Sequence, residues 1–145
     1  MITVSQILKA KGHSVWTIPP EARVFDALKL MAEKSVGALV VVDQDRVVGL
    51  ISERDYARKV ILKGKSSADT PVRDIMTSRL FGVHPDTKAE ECLALMTDKH
   101  IRHLPVFDKD RLVGVVSIGD VVKAVISQQE VMITHLQDYI SGKYQ

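Results

Sequence analysis

Two short segments of this chain place a hydroxyl three residues before a carboxylate. They are Ser52-Glu-Arg-Asp55 and Ser117-Ile-Gly-Asp120, and each directly follows a run of aliphatic residues. Such a segment can cap a helix, because the serine oxygen accepts a hydrogen bond from an early helix amide and the acid favours the positive helix end. It can also bind a ligand, because the helix N-terminus suits phosphate and the aspartate can accept hydrogen bonds from a ribose diol. Taken alone, the segments favour capping, since a duplication copies caps as faithfully as it copies binding sites.

Both segments belong to an internal repeat. Residues 38–61 align with residues 103–126 at a constant offset of 65 with no gap, and 11 of the 24 positions are identical. Chance would give about one or two identities, and this period is too long for a solenoid repeat. The repeat therefore predicts a tandem pair of small domains. Gly49 and Gly114 stand three residues before the serines, where a missing side chain can ease packing or let a ligand approach.

The two units share a predicted order of elements. Apolar residues spaced i, i+3, i+4, i+7 predict one amphipathic helix of about four turns in each unit. These residues are Val24, Ala27, Leu28 and Met31 in the first unit, and Ala89, Cys92, Leu93 and Met96 in the second. Runs of β-branched residues then predict strands at 37–42, 47–51, 102–107 and 112–116, paired as antiparallel hairpins whose turn type stays open. A second helix follows each hairpin and begins at the serine.

Composition limits the classes of function. The 145 residues are 46% hydrophobic and 26% charged, and the net charge of +2 comes from intermixed acidic and basic residues, so nucleic acid is not implied. The longest purely apolar run, 38–42, is far shorter than a membrane helix, and the first residues lack a signal peptide's apolar stretch, which predicts a cytoplasmic protein. Cys92, the single cysteine, is interpreted as a small core residue instead of a nucleophile.

The sequence contains no recognisable catalytic or metal-binding pattern. The five histidines show no HExxH or other metal spacing, and there is no P-loop and no GxGxxG segment. The carboxylate pairs Asp43 with Asp45 and Asp108 with Asp110 fall at the predicted hairpin turns, where they are interpreted as turn formers. The sequence therefore predicts a protein that is not an enzyme, without catalytic residues and without a metal.

Together these segments resemble the paired CBS domains, a family named after cystathionine β-synthase and also called Bateman modules. The resemblance covers nearly the whole chain. Within the family, the chain resembles the small stand-alone bacterial members. In the first half it rests on Thr17-Ile-Pro-Pro20, Gly37-Ala-Leu-Val-Val-Val-Asp43 and Val48-Gly-Leu-Ile-Ser-Glu-Arg-Asp55, and in the second on Val72-Arg-Asp-Ile-Met76, Gly82-Val-His-Pro85, Arg102-His-Leu-Pro-Val106 and Val113-Gly-Val-Val-Ser-Ile-Gly-Asp120. The resemblance implies an α/β (α+β) fold of two tandem β-α-β-β-α units, packed sheet to sheet with pseudo-two-fold symmetry. It also implies two related clefts, which bind adenine nucleotides in this family.

Matched position by position, the resemblance assigns nucleotide-binding roles in both halves. Asp55 and Asp120 would hold ribose hydroxyls, and Ser52 and Ser117 would lie near ribose or phosphate. The other assigned residues would line the base pockets and the strand edges that face ligand: Thr17, Ile18, Pro19, Gly37, Ala38, Leu39 and Arg54 in the first half, and Val83, His84, Pro85, Arg102, His103, Leu104, Pro105 and Ile118 in the second.

The two predicted sites differ in charge. Arg102 and His103 supply a fixed and a titratable positive group where the first half has a glycine and an alanine. Conversely, Arg54 of the first half aligns with Gly119. We therefore predict two unequal sites, of which the second is better equipped for a phosphate.

The predicted boundaries place residues 1–67, with an N-terminal extension, in the first domain, 68–128 in the second, and 129–145 in an added C-terminal helix. That helix, predicted from residue 127 to 144 with a stop at Gly142, carries on one side Met132, Leu136, Tyr139 and Ile140. Its apolar side can close the core of its own chain or pair with a second copy, and we expect a homodimer. Trp16 is expected either to cover a nucleotide base or to plug the seam between the domains.

The predicted function is a regulatory sensor that binds adenine nucleotides. AMP is the first ligand, NAD, NADH or ATP are further ones, and the extra phosphate of a dinucleotide could use Arg54 or Lys11. Occupancy would reach an unknown effector protein through the angle between the halves or through the dimer contact. Two alternatives stay open. One is a passive interaction scaffold without ligand, and the other is a nucleic-acid-binding module, which the balanced charge disfavours.

Overall fold

The predicted mixed α/β class is confirmed by the structure, a computed structural model that describes residues 1–142. In chain order the elements are α1 (Val4–Lys11), β1 (Thr17–Ile18), α2 (Val24–Lys34), β2 (Ala38–Asp43), β3 (Arg46–Ser52), α3 (Glu53–Lys59), α4 (Ala89–Lys99), β4 (His103–Asp108), β5 (Arg111–Ser117) and α5 (Ile118–Ile140). Two 3-10 turns, Ile61–Lys63 and Val72–Asp74, lie between α3 and α4.

Packing divides the chain into two compact units. The first-repeat unit is Ser14–Phe81, and the second-repeat unit joins Met1–His13 to the residues from Gly82 on. The expected boundaries, at 67, 68 and 128, follow the sequence repeat and stay a prediction. Helix α1 belongs to the second-repeat unit, although it precedes the first repeat in the chain, and α5 belongs there too.

Each repeat is preceded by a lead-in segment that packs in the other unit. In the second-repeat unit, the N–H of Val4 donates to the carbonyl of Thr87 at 2.8 Å. In the first-repeat unit, the N–H of Val72 donates to the carbonyl of Ala22 at 2.7 Å. Residues 2–8 and 70–76 thus occupy equivalent places at an offset of 68. Chain order therefore does not decide which core an apolar segment enters.

The first-repeat unit is built on a three-stranded sheet. β1 runs parallel to β2, and β2 runs antiparallel to β3. Helix α2 turns Val24, Ala27 and Met31 into the core, where all three are buried, as its apolar spacing predicted. The helix has 11 residues, or about three turns instead of four, because Ser35 adopts a left-handed conformation and ends it.

The second-repeat unit repeats this plan with a shorter sheet. β4 and β5 form an antiparallel pair, and Val83 makes a single parallel bridge to Val106 in the place of β1. Helix α4 buries Ala89, Cys92 and Met96. Burial raises the pKa of the Cys92 thiol to about 11, so Cys92 is a core residue with little thiolate at neutral pH.

Both hairpins turn on two residues in the left-handed region. The φ angles are 48° and 65° at Gln44 and Asp45, and 50° and 66° at Lys109 and Asp110. Two consecutive positive φ angles define the type I′ turn, whose twist matches that of the flanking strands. The turn type that the sequence left open is therefore the same in both repeats, and the aspartates serve the turns as predicted.

Helix α5 is longer than its sequence repeat requires. It runs without a break from Ile118 to Ile140, whereas the sequence analysis placed a separate helix from residue 127. No glycine or proline interrupts the chain between residues 120 and 140, so nothing ends the helix before Gly142, which has the predicted stop conformation with φ 77°. The predicted helix end at 144 lies outside the described residues. Among residues 1–142, no helix combines the length and apolarity needed to cross a membrane.

Candidate functional site

The first Ser-x-x-Asp segment forms a capping box at the start of α3. The N–H of Asp55 donates to Ser52 Oγ at 3.2 Å, and the N–H of Ser52 donates to Asp55 Oδ2 at 3.0 Å. The hydroxyl of Ser52 also donates to Asp55 Oδ2 at 3.2 Å. The capping interpretation is therefore correct for this segment.

The second segment forms the same box at the start of α5. The N–H of Asp120 donates to Ser117 Oγ at 3.1 Å, and the N–H of Ser117 donates to Asp120 Oδ2 at 2.8 Å. The two boxes differ in what else reaches the carboxylate. Their local geometry follows from the Ser-x-x-Asp spacing, while their surroundings do not.

The carboxylate of Asp55 has partners on both oxygens. Its Oδ2 is taken by Ser52, and its Oδ1 accepts a hydrogen bond from the Thr77 hydroxyl at 3.4 Å and lies 3.2 Å from Lys59 Nζ. Lys59 also donates to the carbonyl of Ile75 at 2.9 Å. This lysine follows Asp55 by four residues on the same helix, so side chains of α3 and Thr77, just after the lead-in segment, meet at the carboxylate.

The carboxylate of Asp120 is held from one side. Lys11 Nζ, at the end of α1, donates to Asp120 Oδ2 at 2.7 Å and to the carbonyl of Val115 at 2.8 Å. Within residues 1–142 no hydrogen bond reaches Asp120 Oδ1. Partial burial by itself would raise the pKa of Asp120, but the hydrogen bonds from Lys11 and Ser117 and the charge of the ammonium outweigh it, so the pKa is lowered.

In each unit the predicted strand edge meets the start of the capped helix. Ala38 pairs with Ser52 across β2 and β3, and His103 pairs with Ser117 across β4 and β5. In each unit the first amide of the capped helix donates to the carbonyl of the residue just before the strand. The N–H of Glu53 donates to Gly37 at 3.1 Å, and the N–H of Ile118 donates to Arg102 at 2.8 Å. The structure therefore brings the predicted strand-edge and helix-start residues together in both units.

The predicted base-pocket residues lie beside the first strand of each hairpin. Thr17 and Ile18 form β1, and Thr17 pairs with β2 two positions after Ala38. In the second unit Val83 takes the equivalent place, where its N–H donates to the carbonyl of Pro105 at 2.9 Å. Several of the predicted contact side chains are buried: Ile18, Leu39, Val83, Leu104 and Pro105. The exposed or half-buried ones, which are more open to a ligand, are Thr17, Pro19, Gly37, Ala38, Arg54, His84, Pro85, Arg102, His103 and Ile118.

Two predicted residues are already engaged by nearby side chains. The Trp16 ring has Lys34 Nζ 4.4 Å from its centroid, so a cation covers it within the first-repeat unit. The His84 imidazole accepts the N–H of Asp86 on Nδ1 at 3.2 Å, and its Nε2 lies 3.8 Å from Asp108 Oδ1. His84 therefore lies beside the carboxylates of Asp86 and Asp108.

Comparison with known proteins identifies the architecture. The family model described as CBS domain matches twice, at residues 4–62 and 72–127. The chain belongs to the CBS domain family. It is a CBS domain pair, which is a regulatory module, and the tandem pair that the sequence predicted is confirmed.

Three known CBS proteins each match this chain over most of their own length. The mitochondrial CBS domain-containing protein CBSX3 of Arabidopsis thaliana is 44% identical, over 98% of this chain and 73% of the relative. The solved structure of a protein with CBS domains from Burkholderia ambifaria MC40-6 is 51% identical with a TM-score of 0.85, over 88% of this chain and 96% of that one. The CBS domain pair of protein MJ0100, solved with 5′-methylthioadenosine and S-adenosyl-L-methionine, is 25% identical with a TM-score of 0.76, over 86% of this chain and 99% of that one.

The first CBS repeat also has an open cavity of about 440 Å³. It lies where α2 ends and α3 begins, and its lining is Leu28, Met31, Ala32, Ser35, Val36, Gly37 and Glu53. Only Gly37 belongs to the predicted nucleotide residues. The cavity therefore does not coincide with the residues that the family resemblance assigns to the nucleotide.

The contacts of both CBS aspartates with lysine were not predicted. Lys59 and Thr77 were not singled out in the sequence, and Lys11 was named only as a phosphate contact for a dinucleotide. A weak signal was present, because Val4, Ile7 and Leu8 in the first lead-in segment match Val72, Ile75 and Met76 in the second at an offset of 68. The alignment at 65 hides this match.

Proposed function

We propose that this CBS pair is a non-catalytic sensor that binds adenine nucleotides, with AMP as its first ligand. The observation that carries the proposal is the carboxylate of Asp120. Ser117 and Lys11 fix its Oδ2, while Oδ1 receives no hydrogen bond within residues 1–142. A carboxylate with a fixed orientation and an open oxygen is a good acceptor for a ribose hydroxyl.

Positive residues near the start of α5 favour a ligand that carries phosphate. Arg102 directly precedes β4, and its carbonyl accepts the first amide of α5. His103 pairs with Ser117, so both basic residues flank the start of the helix. An anion at this place would meet an arginine, an imidazole and the positive end of a 23-residue helix.

The first-repeat site is the weaker of the two in this proposal. Both oxygens of Asp55 are engaged, by Ser52 on one side and by Thr77 and Lys59 on the other. A ribose would have to displace one of these contacts. The strand edge there offers Gly37 and Ala38, which carry no charge. We therefore expect the second-repeat site to fill at a lower ligand concentration than the first-repeat site.

The class of ligand is supported by a relative. The MJ0100 domain pair was solved with two adenosine derivatives, 5′-methylthioadenosine and S-adenosyl-L-methionine. These share the adenosine group with AMP, ATP, NAD and NADH but lack a phosphate. The basic residues of the second repeat therefore favour AMP, and the dinucleotides and ATP are further candidates.

Calorimetry with a panel of ligands tests the proposal. We expect heat of binding with AMP. Binding of 5′-methylthioadenosine should be weaker or absent, because it has no phosphate to contact the basic residues. A passive scaffold would bind none of AMP, ATP, NAD, NADH and S-adenosylmethionine. Mass spectrometry of ligands that co-purify with the native chain complements this test, because it does not depend on the choice of panel.

A second copy of this chain is the proposed protein partner. The last three turns of α5 expose Met132, Leu136 and Tyr139 with 59%, 57% and 76% of their surface open. Pairing of two copies would bury such a surface. The cytoplasmic location stays a prediction, and the Arabidopsis relative is a mitochondrial protein.

A further inference from the structure

Helix α1 contacts the proposed second-repeat site at both of its ends. At its N-terminal end, the N–H of Ser5 donates to the carbonyl of Pro85 at 2.8 Å. At its C-terminal end, Lys11 Nζ bonds Asp120 Oδ2 at 2.7 Å and the carbonyl of Val115 at 2.8 Å. Pro85 and Asp120 are both assigned to the nucleotide. One short helix therefore joins the base side and the ribose side of the same site.

Between these contacts, α1 is fitted closely to the second-repeat unit. Val4, Ile7 and Leu8 are buried. A Cβ atom added at Gly114 would lie 2.7 Å from Leu8 Cδ2, so the absent side chain of Gly114 makes room for the helix. The docked position of α1 is thus defined by packing in the middle and by polar contacts with the site at the ends.

Lys11 does two things to the ribose acceptor. It takes Oδ2 together with the Ser117 amide, which fixes the rotamer of Asp120 and leaves Oδ1 available. Its ammonium also offsets the negative charge of the carboxylate, which would otherwise repel a nearby phosphate. The first repeat lacks this arrangement, because the lysine that reaches Asp55 is Lys59 of the same helix.

We propose that Lys11 is a positioning residue for nucleotide binding in the second repeat, and that it couples the docking of α1 to occupancy of that site. The inference rests on the proposed function and adds to it the element that responds to the ligand. A nucleotide that needs Asp120 in its Lys11-bound position binds the docked form more tightly. By linkage, binding then strengthens the docking of α1 by the same factor.

The test uses the full chain and AMP. Hydrogen exchange of the α1 amides is measured with and without saturating AMP, and AMP affinity is measured by calorimetry for Lys11→Met, Lys11→Arg and Lys9→Met. Lys9 is the matched control, because it is an exposed lysine on the same helix and makes no ion pair or hydrogen bond within residues 1–142. We expect Lys11→Met to weaken AMP binding about tenfold. Lys11→Arg should recover most of the loss, and Lys9→Met should match wild type.

Hydrogen exchange of the α1 amides distinguishes this role from a purely structural one, because a purely structural lysine would not make α1 protection depend on AMP. In wild type we expect AMP to slow exchange in α1 by about the same tenfold factor, and in Lys11→Met we expect little change on adding AMP. If Lys11→Met does not fold, the wild-type exchange decides, and unchanged protection of α1 with AMP overturns the inference.

The two proposals fail in different ways. If wild type binds no AMP, the proposed function fails and this inference fails with it. The other outcome is that wild type binds AMP, that Lys11→Met binds it as tightly as Lys9→Met does, and that AMP does not change hydrogen exchange in α1. In that case only the role of Lys11 is refuted.

Discussion

Lys11 Nζ lies 2.7 Å from Asp120 Oδ2, across 109 positions of sequence. The contact joins a lysine that precedes the first CBS repeat to the capping aspartate of the second. It makes the two aspartates unequal, because Asp55 is bonded on both oxygens whereas Asp120 is held on one. The same Ser-x-x-Asp segment thus has two different surroundings.

Replacing Arg102 with alanine should weaken AMP binding by one to two powers of ten. A charge-assisted hydrogen bond to a phosphate contributes about 1.5 to 3 kcal/mol, and its loss appears directly in the dissociation constant measured by calorimetry. Arg111→Ala is the matched control, because Arg111 pairs with Asp108 at the turn, the far end of the same hairpin. Equal affinity in wild type and Arg102→Ala would remove Arg102 from the site.

Asp120→Asn separates a ligand role from a capping role. An amide is a poorer ribose acceptor of nearly the same shape, so we expect AMP affinity to fall about tenfold or more. Asp55→Asn in the first repeat should have a smaller effect, because the Asp55 oxygens are already engaged. If Asp120→Asn lowers the melting temperature and leaves AMP affinity intact, Asp120 is a cap and not a ligand contact.

Acid should remove the contribution of Asp120 to stability. The pKa of Asp120 is lowered in the folded chain, so the folded form holds this proton less tightly than the unfolded form does. The contribution is therefore present above the unfolded pKa, about 3.9, and is lost as pH falls through the lower folded pKa. Urea unfolding of wild type and Asp120→Asn should show a difference in unfolding free energy at pH 7 that shrinks in this acid window. A difference that stays constant as pH falls would contradict the ionic role.

A charge on the exposed side of α5 should abolish self-association. Leu136 is 57% exposed on the helix extension, and an aspartate there would place a charge in any contact between two apolar helix faces. Light scattering at micromolar concentration should show a dimer for wild type and a monomer for Leu136→Asp. Gln137→Glu, one residue further and also exposed, is the control and should remain a dimer. A monomeric wild type would refute the expected homodimer.

Much of the fold was predictable because it depends on local patterns. The spacing of Val24, Ala27 and Met31 predicted α2, and that of Ala89, Cys92 and Met96 predicted α4. The Ser-x-x-Asp segments predicted both capping boxes, because a cap involves residues only three positions apart. Helix length and turn type were less accessible. They depended on the left-handed conformations of Ser35 and Gln44, which neither residue type prescribes.

The residues that the sequence singled out as chemical, from Ser52 with Asp55 to Ser117 with Asp120, are the ones that the fold gathers at helix starts and strand edges. Their type and spacing were enough for the capping boxes, since those hydrogen bonds join residues only three positions apart. The partners of the two carboxylates were not accessible in this way. The contact of Lys11 with Asp120 arises because α1 buries Val4, Ile7 and Leu8 in the unit of the second repeat. Burial of apolar side chains is non-directional and does not depend on where a segment stands in the chain. The chain order of the segments therefore carries no information about which core they join, and the inequality of the two aspartates appears only when the cores are assembled.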